Sequence, residues 1–278
     1  MTFHTRSYIA ELRPFNCAMA AGASLIGIFV SSAEFTSALL ITALFAFTAV
    51  FLITGGGNVI NDYFDVDIDR INKPTRPLPA GLITQSKALV YACILLLLGT
   101  ILASLLNSLC LAIAALSSAL LILYSWRLKR SVLIGNLLVG YLTGSVFLFG
   151  GASVHAFYVP AVLFISAMFA IVSREIVKDI EDLAGDRRMG ATTLPIKYGD
   201  SLSRKAAVLF MLIAVAVSPI PFIISAFGFT YLSIIAVADV ALLAAAAFSW
   251  KSAASSARYM KYGMVIVLAA YVLGRITL

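Results

Sequence analysis

Charged residues are scarce in this chain, since Asp, Glu, Lys and Arg together make up only 12% of its 278 residues. An ordinary soluble domain carries roughly 25%. Apolar residues take their place: the sequence is 62% hydrophobic and its mean hydropathy is +1.01. This composition excludes a typical soluble globular domain and indicates a protein embedded in a membrane.

Histidine and cysteine are also rare, with two and three copies. His4 and His155 lie far apart, and no CxxC pair or other metal-binding spacing links the cysteines. A histidine-based site, a zinc site and a disulfide framework are therefore not expected. The formal net charge of +7 belongs to no solvated basic domain, which argues against nucleic-acid binding.

Long intervals without charge predict the transmembrane helices, at about 20 residues for each crossing. Turns inside the longer intervals are expected at Asn107-Ser108, from Gly150-Gly151 to Pro160, and from Ala226 to Thr230. The sequence thus predicts an all-α integral membrane protein with nine transmembrane helices. The crossings lie in the intervals 14–33, 35–61, 88–126 (two), 131–173 (two), 206–250 (two, interrupted by Asp239) and 259–277.

The basic residues predict the orientation of these helices. With the N-terminus inside, every Lys and Arg except Arg275 falls in a cytoplasmic loop, tail or helix end. Cytoplasmic loops of membrane proteins carry an excess of Lys and Arg. We therefore expect a multi-pass protein of the cell membrane with a cytoplasmic N-terminus, whose loops after helices two and six face the cytoplasm.

Those two loops carry the same aspartate pattern, 117 residues apart. On a helix, positions i, i+3 and i+7 share one face, so each copy crowds three negative charges. Such crowding calls for cations, and Mg²⁺ prefers oxygen ligands and binds phosphates in turn. The first carboxylate set is Asp62, Asp65 and Asp69, and the second carboxylate set is Asp179, Asp182 and Asp186.

The repeat predicts one domain, residues 1–278, built from two pseudo-repeats. Parallel repeats of this kind would place both carboxylate sets across one lipid-accessible cavity in the helix bundle, with the active site toward the cytoplasm. Asn58 and Asn61 share the helical arc of the first set, whereas Asp67 and, near the second set, Glu181 point away. We expect those last two charges to be solvated.

Cations accompany both sets. Three prolines stiffen the loop after the first set, and the basic side chains on it suit a diphosphate because arginine binds phosphate bidentately. Tyr124 and Lys129, between helices four and five, fit either substrate binding or an ordinary membrane-interface belt. The cations beside the two sets are Arg70, Lys73 and Arg76, and Arg174 and Lys178.

Two metal-binding sets beside a lipid cavity suit the ionisation of an allylic prenyl diphosphate, in which Mg²⁺, Arg and Lys stabilise the leaving group. A secondary transporter would instead place charges near the midplane, where only Asp239 lies. A CDP-alcohol phosphotransferase would carry its aspartates in one continuous motif. The sequence therefore favours a prenyltransferase.

The residues resemble those of the UbiA-type intramembrane prenyltransferases. The family motif N-D-x-x-D-x-x-x-D stands at residues 61–69, and D-x-x-D-x-x-x-D stands at 179–186. The resemblance spans essentially the whole chain and implies Mg²⁺-dependent transfer of a prenyl group from its diphosphate to a lipid acceptor. It implies catalytic roles for Asn61 and the six aspartates. From their charge, polarity and placement near the two sets, we expect substrate binding by Arg13, Asn16, Asn58, Arg70, Lys73, Arg76, Tyr124, Lys129, Arg174 and Lys178.

Within this family, residues 12–17, 72–79 and 174–182 are most similar to the branch that serves archaeal ether-lipid synthesis. That branch joins geranylgeranyl diphosphate to geranylgeranylglyceryl phosphate. Branches that prenylate an aromatic quinone precursor or a chlorophyll-type acceptor share both carboxylate sets, so these acceptors stay open.

Overall fold

The computed structural model describes residues 3–32, 34, 36–188 and 190–278, and these contain thirteen α-helices, two short 3-10 helices and no strand. The all-α prediction is therefore confirmed for this part of the chain. The chain divides into two compact units. The first comprises residues 1–28, 32–127 and 149–155, and the second comprises residues 29–31, 128–148 and 156–278.

The first unit contains the first five helices, apart from Phe29 at the end of the second, and polar caps fix where three of them begin. The side chains of Thr36, Thr84 and Asn107 each accept a hydrogen bond from a backbone N–H three residues later, which satisfies a donor that the first helical turn leaves unpaired. The helices are α1 (Phe3–Leu12), α2 (Pro14–Phe29), α3 (Ser37–Asn72), α4 (Gln85–Ser104) and α5 (Ser108–Trp126).

The second unit contains the remaining helices, although the last residues of α6 belong to the first unit. Short 3-10 helices at Leu128–Arg130 and Phe248–Trp250 precede α6 and α13. The helices are α6 (Ile134–Ser153), α7 (Tyr158–Glu181), α8 (Leu183–Arg188), α9 (Leu194–Tyr198), α10 (Asp200–Val217), α11 (Ile220–Ile223), α12 (Phe229–Ala247) and α13 (Ala253–Ile276).

Among the described residues, eight helices are long and apolar enough to cross a membrane. A ninth crossing results if residues Arg6–Leu12 and Pro14–Phe29, which meet at a 47° bend, form one span. The predicted turns are found between α4 and α5, between α6 and α7, and between α11 and α12. The sequence therefore located the helices, while the count of nine stays a prediction.

Close packing of α3 against α4 holds the helix that carries the first carboxylate set. A Cβ atom on Gly99 would lie 2.9 Å from the backbone oxygen of Ala49, and one on Gly56 would lie 2.7 Å from Leu96 Cγ. Only glycine allows these backbones to approach so closely, as is common between membrane helices. Apolar side chains such as Leu40, Ile41 and Leu44 remain exposed on α3, which suits a lipid surrounding.

Candidate active site

The first carboxylate set lies on one uninterrupted helix, because α3 continues to Asn72. Asp62 and Asp69 are almost fully buried, at 1% and 3% exposed. Asp67 lies outside this group: its side chain is 84% exposed and pairs with Arg70 at 2.9 Å. The prediction that Asp67 faces away is confirmed, and Arg70 is placed with it on the exposed side.

Arginines from two other segments hold the buried aspartates. The guanidinium of Arg13, at the junction of α1 and α2, pairs with Asp62. The Nη1 atom of Arg76, in the loop after α3, lies 3.1 Å from Asp62 Oδ1 and 2.7 Å from Asp69 Oδ2, and Lys73 lies 3.5 Å from Asp69. Cations thus neutralise the crowded carboxylates, as the sequence required.

The two predicted asparagines of α3 have different surroundings. The Asn61 amide donates to Asp65 Oδ2 at 3.1 Å and lies 3.5 Å from Asp62 Oδ1, so it belongs to the carboxylate set. The Asn58 amide donates instead to the carbonyl of Leu12 at 2.8 Å, which ties the end of α1 to α3. This contact gives Asn58 a place at the helix junction beside Arg13.

Arg13 itself has a backbone conformation that non-glycine residues rarely adopt, with φ at +56°. Its carbonyl accepts hydrogen bonds from the amides of Asn16 and Cys17, which begin α2. Asn16 is exposed in this first turn. Left-handed backbone at such a position costs free energy and persists where the surroundings enforce it. The bend at Arg13 therefore directs its side chain to Asp62.

The second carboxylate set differs from the expectation of one helical face. Helix α7 ends at Glu181, Asp182 is the residue that caps it, and Asp186 lies in the separate short helix α8. Asp182 is exposed and Asp186 is half-buried. Partial burial, followed by the neighbouring charge of Asp182, raises the pKa of Asp186. The helix breaks within the motif, so its three carboxylates do not project from a single helix.

Asp179 is held by a residue that the sequence reasoning missed. The amide of Asn136, near the start of α6, donates to Asp179 Oδ2 at 2.8 Å. The preceding Gly135 lets the chain turn tightly here, because a Cβ atom on it would lie 2.9 Å from the carbonyl oxygen of Leu128. An asparagine in the charge-free interval 131–173 was the available signal.

The two cations of α7 share one carboxylate. Arg174 Nη1 lies 2.8 Å from Glu175 Oε1, and Lys178 Nζ lies 3.1 Å from Glu175 Oε2. Arg174 also donates to the carbonyl of Ala257 at 3.3 Å. Glu175 therefore fixes both basic side chains on the helix that carries Asp179.

Tyr124 and Lys129 belong to different units of the chain. Tyr124 is half-buried near the end of α5, and Lys129 is exposed on the 3-10 helix that precedes α6. Arg127 lies over the ring of Trp126, 5.6 Å from its centroid. This cation–π contact and the exposure of Trp126 and Arg127 fit a membrane interface.

Comparison with known proteins decides the family. Residues 20–269 match the UbiA prenyltransferase family. The chain belongs to this family. A digeranylgeranylglyceryl phosphate synthase of Methanococcus aeolicus is 42% identical over 279 residues, covering 99% of each chain, and one of Methanococcoides burtonii is also 42% identical, covering 97% of this chain and 99% of that relative.

Solved structures agree with this assignment. A structure of a digeranylgeranylglyceryl phosphate synthase is 40% identical, covers 100% of both chains and has a TM-score of 0.92. A UbiA homologue from Archaeoglobus fulgidus bound to GPP and Mg²⁺ has a TM-score of 0.67 at 19% identity, covering 94% of this chain and 99% of that chain, which shows the fold alone. This prenyltransferase is accordingly a multi-pass membrane protein with the UbiA-type fold.

The donor atoms of both sets suit Mg²⁺ by their chemistry, since all are carboxylate oxygens. In the first set, two of the carboxylates are bound to a protein cation: Arg76 bridges Asp62 and Asp69. No three acidic, histidine or cysteine side chains in the described part of the chain converge closely enough to hold a metal ion. The carboxylate chemistry of each set therefore fits Mg²⁺.

The Asn136 contact yields a first prediction for this prenyltransferase. Asn136→Leu removes the amide that fixes Asp179 but keeps a side chain of similar size. We expect the Mg²⁺ concentration for half-maximal activity to rise about 10-fold or more, because residues that orient metal ligands typically contribute 10- to 100-fold in affinity. Activity measured across a Mg²⁺ titration gives this value.

Asn107→Leu is the matched control, since Asn107 is also an interhelical asparagine, donating to the carbonyl of Ala152 at 2.9 Å. That substitution removes a helix cap without touching a carboxylate set. It should lower stability while leaving the Mg²⁺ requirement unchanged. An equal change in Mg²⁺ requirement in both variants would show that Asn136 acts only through folding.

Proposed function

We propose that this prenyltransferase transfers a geranylgeranyl group from geranylgeranyl diphosphate to geranylgeranylglyceryl phosphate, as in archaeal ether-lipid synthesis. The observation that carries the reaction class is the pair of buried aspartates, Asp62 and Asp69, bridged by Arg76 beside a loop of further cations. The full-length similarity to synthases of digeranylgeranylglyceryl phosphate supports the choice of donor and acceptor.

In this reaction the C1–O bond to the diphosphate breaks and the acceptor hydroxyl oxygen bonds to C1, losing its proton. The aspartates of both carboxylate sets would hold Mg²⁺, with Asn61 fixing the first set. When bound, Mg²⁺ neutralises the charge that develops on the leaving diphosphate. Lys73 and Arg76 bind diphosphate oxygens, as do Arg174 and Lys178, and before the metal binds Arg13 holds Asp62.

The roles of the remaining predicted residues follow from their places. Asn58 holds the junction that presents Arg13 and Asn16, while Arg70, Tyr124 and Lys129 contribute to substrate binding near the membrane surface. We propose nine crossings, with the bent pair α1–α2 as the first span. The distribution of Lys and Arg then supports a cytoplasmic N-terminus and an active site that opens toward the cytoplasm.

The test offers purified protein geranylgeranyl diphosphate together with a panel of acceptors, and identifies the product by mass. We expect product with geranylgeranylglyceryl phosphate, its loss in EDTA and its return with Mg²⁺. Prenylation of 4-hydroxybenzoate or a chlorophyllide in its place would refute the acceptor and leave the reaction class intact. Full activity in EDTA would refute the role of the metal.

A further inference from the structure

Glu11 is a buried acid to which the reaction so far gives no role. It lies in the last turn of α1 and is 1% exposed. Neither carboxylate oxygen makes a hydrogen bond to any residue that the structure describes. Buried carboxyl groups normally have partners, because desolvation without a compensating contact is costly. A buried carboxyl group without a hydrogen bond, next to a candidate active site, therefore indicates that it gains a partner when that site is occupied.

The polar groups around Glu11 indicate which residue that partner is. Asp62, the backbone amide of Leu78 and Arg13 are the polar groups whose electrostatic influence reaches its carboxyl. Asp62 receives two guanidinium groups, from Arg13 and Arg76, while Glu11 receives none. Of these two neighbouring carboxyl groups, Asp62 therefore has both guanidinium contacts and Glu11 has neither.

Binding of Mg²⁺ to Asp62 would change how these guanidinium groups are paired. A carboxylate oxygen that coordinates Mg²⁺ cannot keep a guanidinium on the same lone pair, and the like charges of cation and metal repel. Arg76 also pairs with Asp69, at 2.7 Å, and in the proposed reaction the diphosphate gives it a further anionic partner. Among the residues that the structure describes, Arg13 pairs with no second carboxylate, and Glu11 lies two residues before it in the chain.

We propose that Glu11 is a positioning residue that accepts the guanidinium of Arg13 when Asp62 turns to Mg²⁺. The inference rests on the proposed function, since it requires a metal at the first carboxylate set. The backbone of Arg13 need not move, because Asn58 anchors the carbonyl of Leu12 and a Cβ atom on Gly55 would already lie 2.5 Å from Leu12 Cδ2. The exchange is a change of side-chain rotamer.

The same arrangement has a consequence for stability. In the absence of Mg²⁺, the carboxyl of Glu11 is buried without a hydrogen bond, so replacing it with an apolar side chain of similar size should not destabilise the fold. In the presence of Mg²⁺ the loss of Glu11 should weaken metal binding. A purely structural residue would show the opposite pattern.

The experiment measures Mg²⁺ binding to the full chain in detergent by calorimetry, with a non-reactive thiolo analogue of geranylgeranyl diphosphate present. We compare wild type with Glu11→Gln, Glu11→Leu and the exposed control Glu181→Gln. The dissociation constant for Mg²⁺ should rise about 10-fold or more in both Glu11 variants, as for other residues that orient metal ligands. The thermal midpoint of Glu11→Leu without Mg²⁺ should equal or exceed that of wild type.

A double variant tests whether Glu11 affects Mg²⁺ binding through Arg13. Glu11 acts through Arg13, so Glu11→Gln should add little in an Arg13→Ala background. Full additivity, or Mg²⁺ affinity within twofold of wild type in Glu11→Gln, would overturn the role of Glu11. Absence of Mg²⁺-dependent analogue binding in wild type would instead refute the proposed function, so the two failures are distinguishable.

Discussion

Asp65→Asn is expected to lower kcat/KM by about 10²-fold or more, while Asp67→Asn should keep most of the activity, since groups that stabilise developing charge contribute at this level. Both changes replace a carboxylate by an amide on α3, two residues apart. Asp65 is half-buried and accepts a hydrogen bond from Asn61, whereas the side chain of Asp67 is 84% exposed. Steady-state kinetics of the two variants measures the difference.

The second carboxylate set allows the same comparison with adjacent residues. Asp182 and Glu181 are both exposed at the end of α7, so exposure alone does not separate them. We expect Asp182→Asn to lose about 10²-fold or more and Glu181→Gln to be nearly neutral. Similar losses at all four positions would contradict the assignment of carboxylates by their spacing.

The helices were predictable because membrane insertion depends on local composition. A run of about 20 residues without charge crosses the bilayer whatever its partners are. The turn predicted at Asn107-Ser108 lies where α4 has ended at Ser104 and α5 begins at Ser108. The first crossing was harder to predict, because the break at Arg13 comes from a left-handed backbone that no periodicity signals.

The partners of the carboxylates were less predictable, because they come from distant parts of the chain. Spacing placed three aspartates on α3, yet the Asp62 contact with Arg13 joins residues 49 apart, and the Asp179 contact with Asn136 joins residues 43 apart. Such contacts depend on how the helices pack against one another, and the spacing of residues in one sequence does not show this. Glu11 was missed for the same reason.

The three aspartates of the second carboxylate set were found from their spacing, but they were expected on one continuous helix. Their spacing matches that of the first set, and the glycine at 185 was a sign that the helix weakens there. The structure ends α7 at Glu181 and begins α8 at Leu183. The i, i+3, i+7 rule assumes one continuous helix, whereas here a single residue, Asp182, interrupts it between α7 and α8.

Arg76→Ala should lower both activity and stability, and Mg²⁺ should return part of the stability. The guanidinium bridges two buried carboxylates, at 3.1 Å from Asp62 and 2.7 Å from Asp69, and is itself 26% exposed. Removing one partner of a buried ion pair costs about 3 kcal/mol or more. We expect a clear fall in the thermal midpoint in detergent and about a 10²-fold loss of kcat/KM, as for other charge-stabilising groups.

Arg70→Ala is the matched control, because Arg70 pairs with Asp67 on the exposed side of the same helix, where an ion pair contributes roughly 0–1 kcal/mol. It should leave the thermal midpoint nearly unchanged. A Mg²⁺ ion at the first carboxylate set supplies positive charge where Arg76→Ala has removed it. The rise in thermal midpoint on adding Mg²⁺ should therefore be larger in Arg76→Ala than in wild type, and an equal or smaller rise would place the metal elsewhere.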